Sequence, residues 1–432
     1  MTSNARLSYQ KVKGTGSGAD DNQSSATTSV NARSVVFAPV EKLISGGSDD
    51  DENVNNARYT PIEILNATYK RVSRFQQNYN AGVNWEPVKG LKFRSEFGYG
   101  WKFDDTEQYW GVDAVSNSKY GYNGQPQAYL LREKTMSWRN ANTLTYDNKK
   151  LFKGRDKLNV LIGHEVSSSQ RKSIENVSVA FPVTMNFDDM KANMGSGKAL
   201  ANQSTIAAKE NILSFFGRVN YTMMDKYLLA VTVRADGSSK FGSGNRWGVF
   251  PSAALAWRIS DEPFMNVAKN WLNNLKLRVG YGITGNSGGV DAYGTTTQAY
   301  VYTGNGLTLN GQNSSFTQYT GTYGSKDLGW EKSYNWNVGL DYGILNNRVD
   351  GSIEWFKTTT KGLLFKRTLP ITSGLTGWGS PLSIWQNIAE TSNQGVEVTI
   401  NSHNIKTKDF SWNTTLSVTW SKEKIEKLPD GD

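Results

Sequence analysis

Residues 227–236 read YLLAVTVRAD, an order with a period of two. On an extended chain Tyr227, Leu229, Val231 and Val233 share one face, and Ala230, Thr232, Arg234 and Asp236 share the other. The same alternation returns along the chain. Leu213, Phe215, Val219 and Tyr221 oppose Ser214, Arg218, Asn220 and Thr222. Leu275, Leu277, Val279, Tyr281 and Ile283 oppose Lys276, Arg278, Gly280, Gly282 and Thr284. Tyr334, Trp336, Val338, Leu340 and Tyr342 oppose Asn335, Asn337, Gly339 and Asp341. Phe410, Trp412, Leu416, Val418 and Trp420 oppose Ser411, Asn413, Thr415, Ser417 and Thr419. Each segment holds about ten residues, the length of a tilted strand that crosses a bilayer.

About thirteen such strands are expected, near 5–13, 67–86, 90–103, 132–147, 156–171, 209–223, 226–236, 248–260, 274–284, 333–344, 348–359, 393–405 and 409–422. Their connections alternate in length. Short ones fall at 86–90, 223–226, 345–347 and 406–408, with somewhat longer turns at 148–155 and 261–273, the latter expected to hold a small helix. Long ones fall at 14–66, 104–131, 172–208, 237–247, 285–332 and 360–392. Tight turns on one side and long loops on the other are how an outer-membrane barrel is built. A soluble sandwich has no need of them.

Composition agrees. The 14 Trp, 20 Tyr, 17 Phe and 42 Gly of the 432 residues favour strands and turns over helices. No run of about 18 apolar residues offers a spanning helix. With no cysteine, disulfides and thiolate chemistry are excluded. The formal charge of +9 is dispersed, which argues against nucleic acid as a partner. If the short turns face inward, Trp85, Trp257, Tyr342 and Trp412 mark the inner end of the apolar face, and Tyr99, Trp101, Trp336 and Trp420 the outer end. Two such belts suit a bilayer, because ring bodies favour hydrocarbon and polar tips favour headgroups.

The stretch at 227–265, YLLAVTVRADGSSKFGSGNRWGVFPSAALAWRISDEPFM, is followed by LKLRVGYGITGN at 275–286. With LGWEKSYNWNVGLDYGILNNRVDGSIEWFKTTTKGLL (328–364), NIAETSNQGVEVTI (387–400) and SWNTTLSVTWSKEKIEKL (411–428), it resembles the SusC/RagA TonB-dependent outer-membrane transporters of Bacteroidota. VKGLKFRSEFGYGW (88–101) and LNVLIGHEV (158–166) extend the likeness, which runs from about residue 60 onward. The resemblance implies a large barrel of the 22-stranded plugged class. It also implies a SusD-like surface lipoprotein, the TonB complex reached through an amino-terminal region, and import of an oligosaccharide or peptide substrate. On this reading all of 1–432 is barrel domain, with a first strand and long external loop in 1–66 and further strands and loops in 67–432. The chain shows no signal-peptide pattern, TonB box or plug, so an all-β, antiparallel, partial barrel in contact with outer-membrane lipid is expected. The alternative is a soluble or surface-exposed β-rich structural or binding module without transport.

Nothing in the motifs requires catalysis, a metal or a cofactor. The two histidines, His164 and His403, fall on strands far apart in sequence. The acidic run 48–52 lacks calcium-loop spacing, and Gly14–Gly18 lacks the Lys-Ser/Thr of a phosphate loop. The polar faces carry the candidates for ligand contact: Arg94, Glu96, Arg218, Arg234, Arg258, Arg278 and Asp341. They read either as a hydrated ionic lattice on the barrel wall, docking a plug, or in part as substrate contacts. Tyr293, Tyr300, Tyr302, Tyr319 and Tyr323 are loop aromatics that could stack on sugars.

Overall fold

The computed structural model describes residues 2–14, 66–112, 125–152, 154–290, 294–297, 322–370 and 380–428, with short pieces at 299–302, 308–309, 312–313, 316–319, 372 and 376–377. The acidic run 48–52 and residues 15–18 lie outside these, as do Tyr293 and the side chains of Tyr300, Tyr302 and Tyr319.

The period-two segments form thirteen long strands. They are β1 (Thr2–Gly14), β2 (Thr68–Val88), β3 (Leu91–Trp110), β4 (Gln127–Leu151), β5 (Asp156–Val179), β6 (Glu210–Met223) and β7 (Tyr227–Ser238). There follow β8 (Trp247–Arg258), β9 (Leu272–Asn286), β10 (Glu331–Ile344), β11 (Val349–Thr368), β12 (Ser383–Lys406) and β13 (Ser411–Lys427). Each pairs antiparallel with the next, giving one meandering sheet. Among the described residues β1 and β13 do not pair, so the sheet is a partial barrel with two open edges.

The boundaries correct the sequence reading most on one side, with shifts of two to four residues at short-side ends such as Leu151, Arg258 and Leu272. The expected loops at 104–131, 172–208 and 360–392 are in part strand: β3 runs to Trp110, β5 to Val179 and β11 to Thr368. β4 and β12 likewise begin early, at Gln127 and Ser383. These extensions all lie on the long-loop side, where strands of 20 to 25 residues rise well past the length a bilayer needs. The region 172–208 also holds a helix, α1 (Phe187–Ala192), and a strand, Lys198–Ile206, paired to the outer part of β5.

On the opposite side the chain turns sharply. Met224 and Asp225 take φ of 52° and 58°, and Leu345, Asn346 and Asn347 take 53°, 59° and 58°. Consecutive left-handed residues match the right-handed twist of the flanking strands, which ordinary turns would splay. The small helix expected in 261–273 is two 3-10 turns, Ile259–Asp261 and Pro263–Ala268.

Burial separates barrel from sandwich. On the apolar face Phe97, Leu144, Ile162, Phe215, Val231, Leu255, Val338, Ile353 and Val418 are all more than a third exposed. A soluble fold would bury such a stripe; one facing hydrocarbon has no reason to. The compact apolar clusters sit at the outer end instead. One gathers Ala128, Phe181 and Met190, and the other Phe241, Val290 and Leu328.

Candidate functional site: the polar wall and its outer mouth

Alternation puts every second side chain of this sheet on a polar face, and antiparallel register brings those of neighbouring strands side by side. On β9 to β11 this assembles the densest ion cluster among the described residues. Arg278 Nε reaches both carboxylate oxygens of Asp341 at 3.0 Å, and Nη2 reaches Oδ1 at 2.7 Å. The same guanidinium donates to Glu354, Lys276 Nζ lies 3.5 Å from Asp341, and Asn337 Nδ2 lies 3.4 Å from Glu354. A planar guanidinium between two carboxylates uses its fork fully, which a lysine there could not. Gly339 makes room for it, since a Cβ there would lie 3.0 Å from Nη2.

A second cluster stands on β6 and β7. Arg234 Nε donates to the two oxygens of Asp236 at 2.8 and 2.9 Å, and Nη2 to the fully buried Ser214 at 2.9 Å. Its guanidinium lies 5.3 Å from the Phe216 ring centre. Arg94 pairs with Glu96 on its own strand, and Arg218 Nε reaches Thr232 Oγ1 at 3.3 Å. Arg258 is exposed, opposite Lys276 in register. The seven candidates therefore spread over six strands and converge on no single pocket. Five of them are ion-paired, while Arg218 reaches a hydroxyl and Arg258 has no ion pair among the described residues; the pairing continues through Arg139–Glu165 at 3.6 Å and Arg171–Glu133 at 3.3 Å.

Above the lattice the loop after β7 folds inward. Phe250, in register with Arg234, meets Trp330 at 5.3 Å between ring centres, and Phe241 meets the same indole at 5.3 Å. Trp330 Nε1 donates to Arg246 O at 2.8 Å, and Asn245 Nδ2 to Asp327 O at 2.9 Å. Asn387 receives Gly329 N at 2.8 Å and donates to Gly329 O and Gly362 O. Phe250 fits because Gly248 and Gly285 lack side chains: a Cβ on either would fall 2.3 and 2.1 Å from its ring. The long Gly/Ser/basic connection is thus a built part of the outer mouth, stapled to segments over eighty residues away.

At the inner rim Glu262 gathers the polar tips of the aromatic belt. Its carboxylate accepts Tyr227 Oη at 2.7 Å, Trp257 Nε1 at 3.1 Å and Lys226 Nζ at 3.1 Å. The tyrosine hydroxyl first, then the indole and the ammonium, hold this carboxyl below its ordinary range against the opposing effect of burial. Neither Glu262 nor Glu354 stood out in the sequence reading. Glu354 was findable, since it alternates with Ile353 and Trp355 on the polar face. Glu262 lies in a turn with no period to read.

The chain matches the family described as TonB dependent receptor-like, beta-barrel, over residues 5–432. It is 34% identical over 329 residues to TonB-dependent receptor SusC of Bacteroides thetaiotaomicron, a match spanning 74% of this chain and 30% of that protein. TonB-dependent receptor P3 of Formosa agariphila is 30% identical over 373 residues, spanning 84% of this chain and 34% of that protein. The chain therefore spans about a third of the length of these relatives. Among solved structures, the RagAB peptide transporter superposes with a TM-score of 0.71 at 25% identity, covering 86% of this chain and 39% of that one.

Proposed function

This chain belongs to the TonB-dependent receptor-like β-barrel family of the outer membrane, and we propose that it forms part of the wall of an energy-coupled importer. The cargo is an oligosaccharide or a peptide too large for a general pore. A SusD-like lipoprotein caps the outer mouth, and TonB supplies energy through a region of the protein other than this wall. The observation that carries the reading is the two-faced sheet: an exposed apolar stripe outward, and recurring ion pairs inward. A soluble β module has no use for an exposed stripe of this extent.

On this reading the whole of 1–432 is barrel domain. The inward residues Arg94, Glu96, Arg218, Arg234, Arg258, Arg278 and Asp341 line a hydrated wall. Paired as most of them are, they serve first to keep that wall charged and rigid where a plug docks. Arg258 and Arg218, without carboxylate partners of their own among the described residues, are the candidates for contact with moving substrate.

The test is uptake by cells that carry the full-length protein, supplied with labelled oligosaccharide and peptide pools. One pool should accumulate only when both TonB and the partner lipoprotein are present. Accumulation of neither, or release of the protein from outer membranes by a carbonate wash, would overturn the proposal.

A further inference from the structure

On the outward face, the aromatic belt at the outer end is followed on several strands by lysine. Going outward on β11, Trp355 gives way to Lys357 and Lys361; on β13, Trp420 gives way to Lys422 and Lys424. On β10 the order is Trp336, Tyr334, Lys332. Below the belt the outward residues of these strands, such as Ile353, Val338, Leu340, Leu416 and Val418, are uncharged. Because the order is read along each strand, the tilt of the strands does not disturb it.

Register gathers these lysines into one patch. Lys357 stands opposite Gln394, and Gln394 opposite Lys422; Thr359, Ser392 and Lys424 form the next row. Two carboxylates share the patch. Glu390 lies 3.3 Å from Lys361, while Glu426 lies 2.6 Å from Lys424 and accepts the Ser392 hydroxyl at 2.7 Å. Five lysines against two glutamates leave a surplus of positive charge at the level where headgroups begin. Beneath it Tyr281 and Trp336, with ring centres 4.5 Å apart, floor a depression of about 390 Å³ lined by Lys357 and Lys361 and also by the two carboxylates, Glu390 and Glu426. The pattern recurs on β4 and β5, where outward Lys134 faces Lys172 directly across the ladder and lies 5.2 Å from the Trp101 ring centre. Like charges placed opposite each other on a sheet destabilise it unless an anion joins them. Clustered lysines at a membrane surface draw anionic lipid.

We propose that this patch binds a phosphorylated lipid headgroup of the outer leaflet. Lys357 and Lys361 pair with phosphate, Lys422 and Lys424 flank it, and the sugar part lies on Trp336 and Tyr281. The proposal rests on the outer-membrane reading of the chain.

The test uses the full-length protein, purified in detergent, with bisphosphorylated lipid A, its dephosphorylated form and inorganic phosphate as probes. The wild type should retain the bisphosphorylated lipid about tenfold more tightly than a Lys357→Gln/Lys361→Gln/Lys422→Gln/Lys424→Gln variant. The fourfold Lys→Arg variant should bind like the wild type. Equal retention by wild type and Gln variant, or equal binding of the dephosphorylated lipid, would overturn the proposal. So would displacement by inorganic phosphate at the concentration of the lipid, since that marks a simple anion site. Both variants must show the heat-dependent gel mobility of a closed barrel; failure of the wild type to do so would strike the barrel reading itself.

Discussion

Arg278 illustrates how charge is tolerated on this wall. Its side chain and those of Asp341 and Glu354 are each about a quarter to a third exposed, so water and fork geometry share the work of solvation. Removing the guanidinium leaves two carboxylates facing one another. Arg278→Ala should lower the stability of the full-length barrel by roughly 1–3 kcal/mol, measured by urea unfolding in vesicles. Adding Asp341→Asn and Glu354→Gln should recover part of that loss, because the repulsion goes with the charges. No recovery would mean that packing, not charge, sets the cost. Glu262 gives a pH-dependent counterpart. Its folded-state ionisation lies below the unfolded value, so its contribution is present above the unfolded value and is lost as pH falls through the folded one. Hydrogen-exchange protection in 259–268, taken relative to the intrinsic rate at each pH, should therefore fall on acidification through the carboxylate range in the wild type. In Glu262→Gln that response should be absent; an identical response would remove Glu262 from the account.

At the scale of elements the connections carry the orientation. Ser243 lies exposed in the stapled outer loop and Asn346 exposed in a left-handed turn, so neither is sterically shielded from a label. In intact cells with the full-length protein, a cysteine at Ser243 should react with an impermeant maleimide, and one at Asn346 should not. The reverse pattern would invert the topology. All thirteen strands were legible in the sequence, because a wall with one face in lipid and one in water must alternate, and β7 does so from Leu229 to Arg234. The outer extensions were not. Beyond the bilayer neither face meets hydrocarbon, so the code relaxes: Thr106, Glu107 and Gln108 on β3 continue the ladder with no period of two. The ion lattice was half legible. Parity found Arg278 and Asp341, but which charges meet depends on register, and register is fixed by turns such as Met224–Asp225 whose left-handed residues are not glycine.

For the whole molecule the central claim is that one face of this sheet meets lipid and the other water, from the inner turns to the outer belt. The apolar clusters gathered outside that band agree, as does the absence of charge from the outward side of β11 until Lys357. The most direct measurement is nitroxide scanning of Gly351 to Lys361 in the full-length protein in vesicles, reading collision with oxygen and with a water-soluble nickel chelate. Oxygen accessibility should peak at Ile353 and Trp355, chelate accessibility at Ser352, Glu354 and Phe356, and the alternation should end in favour of the chelate from Lys357 outward. Equal accessibility at both parities, or an apolar face closed to both reagents, would contradict the account.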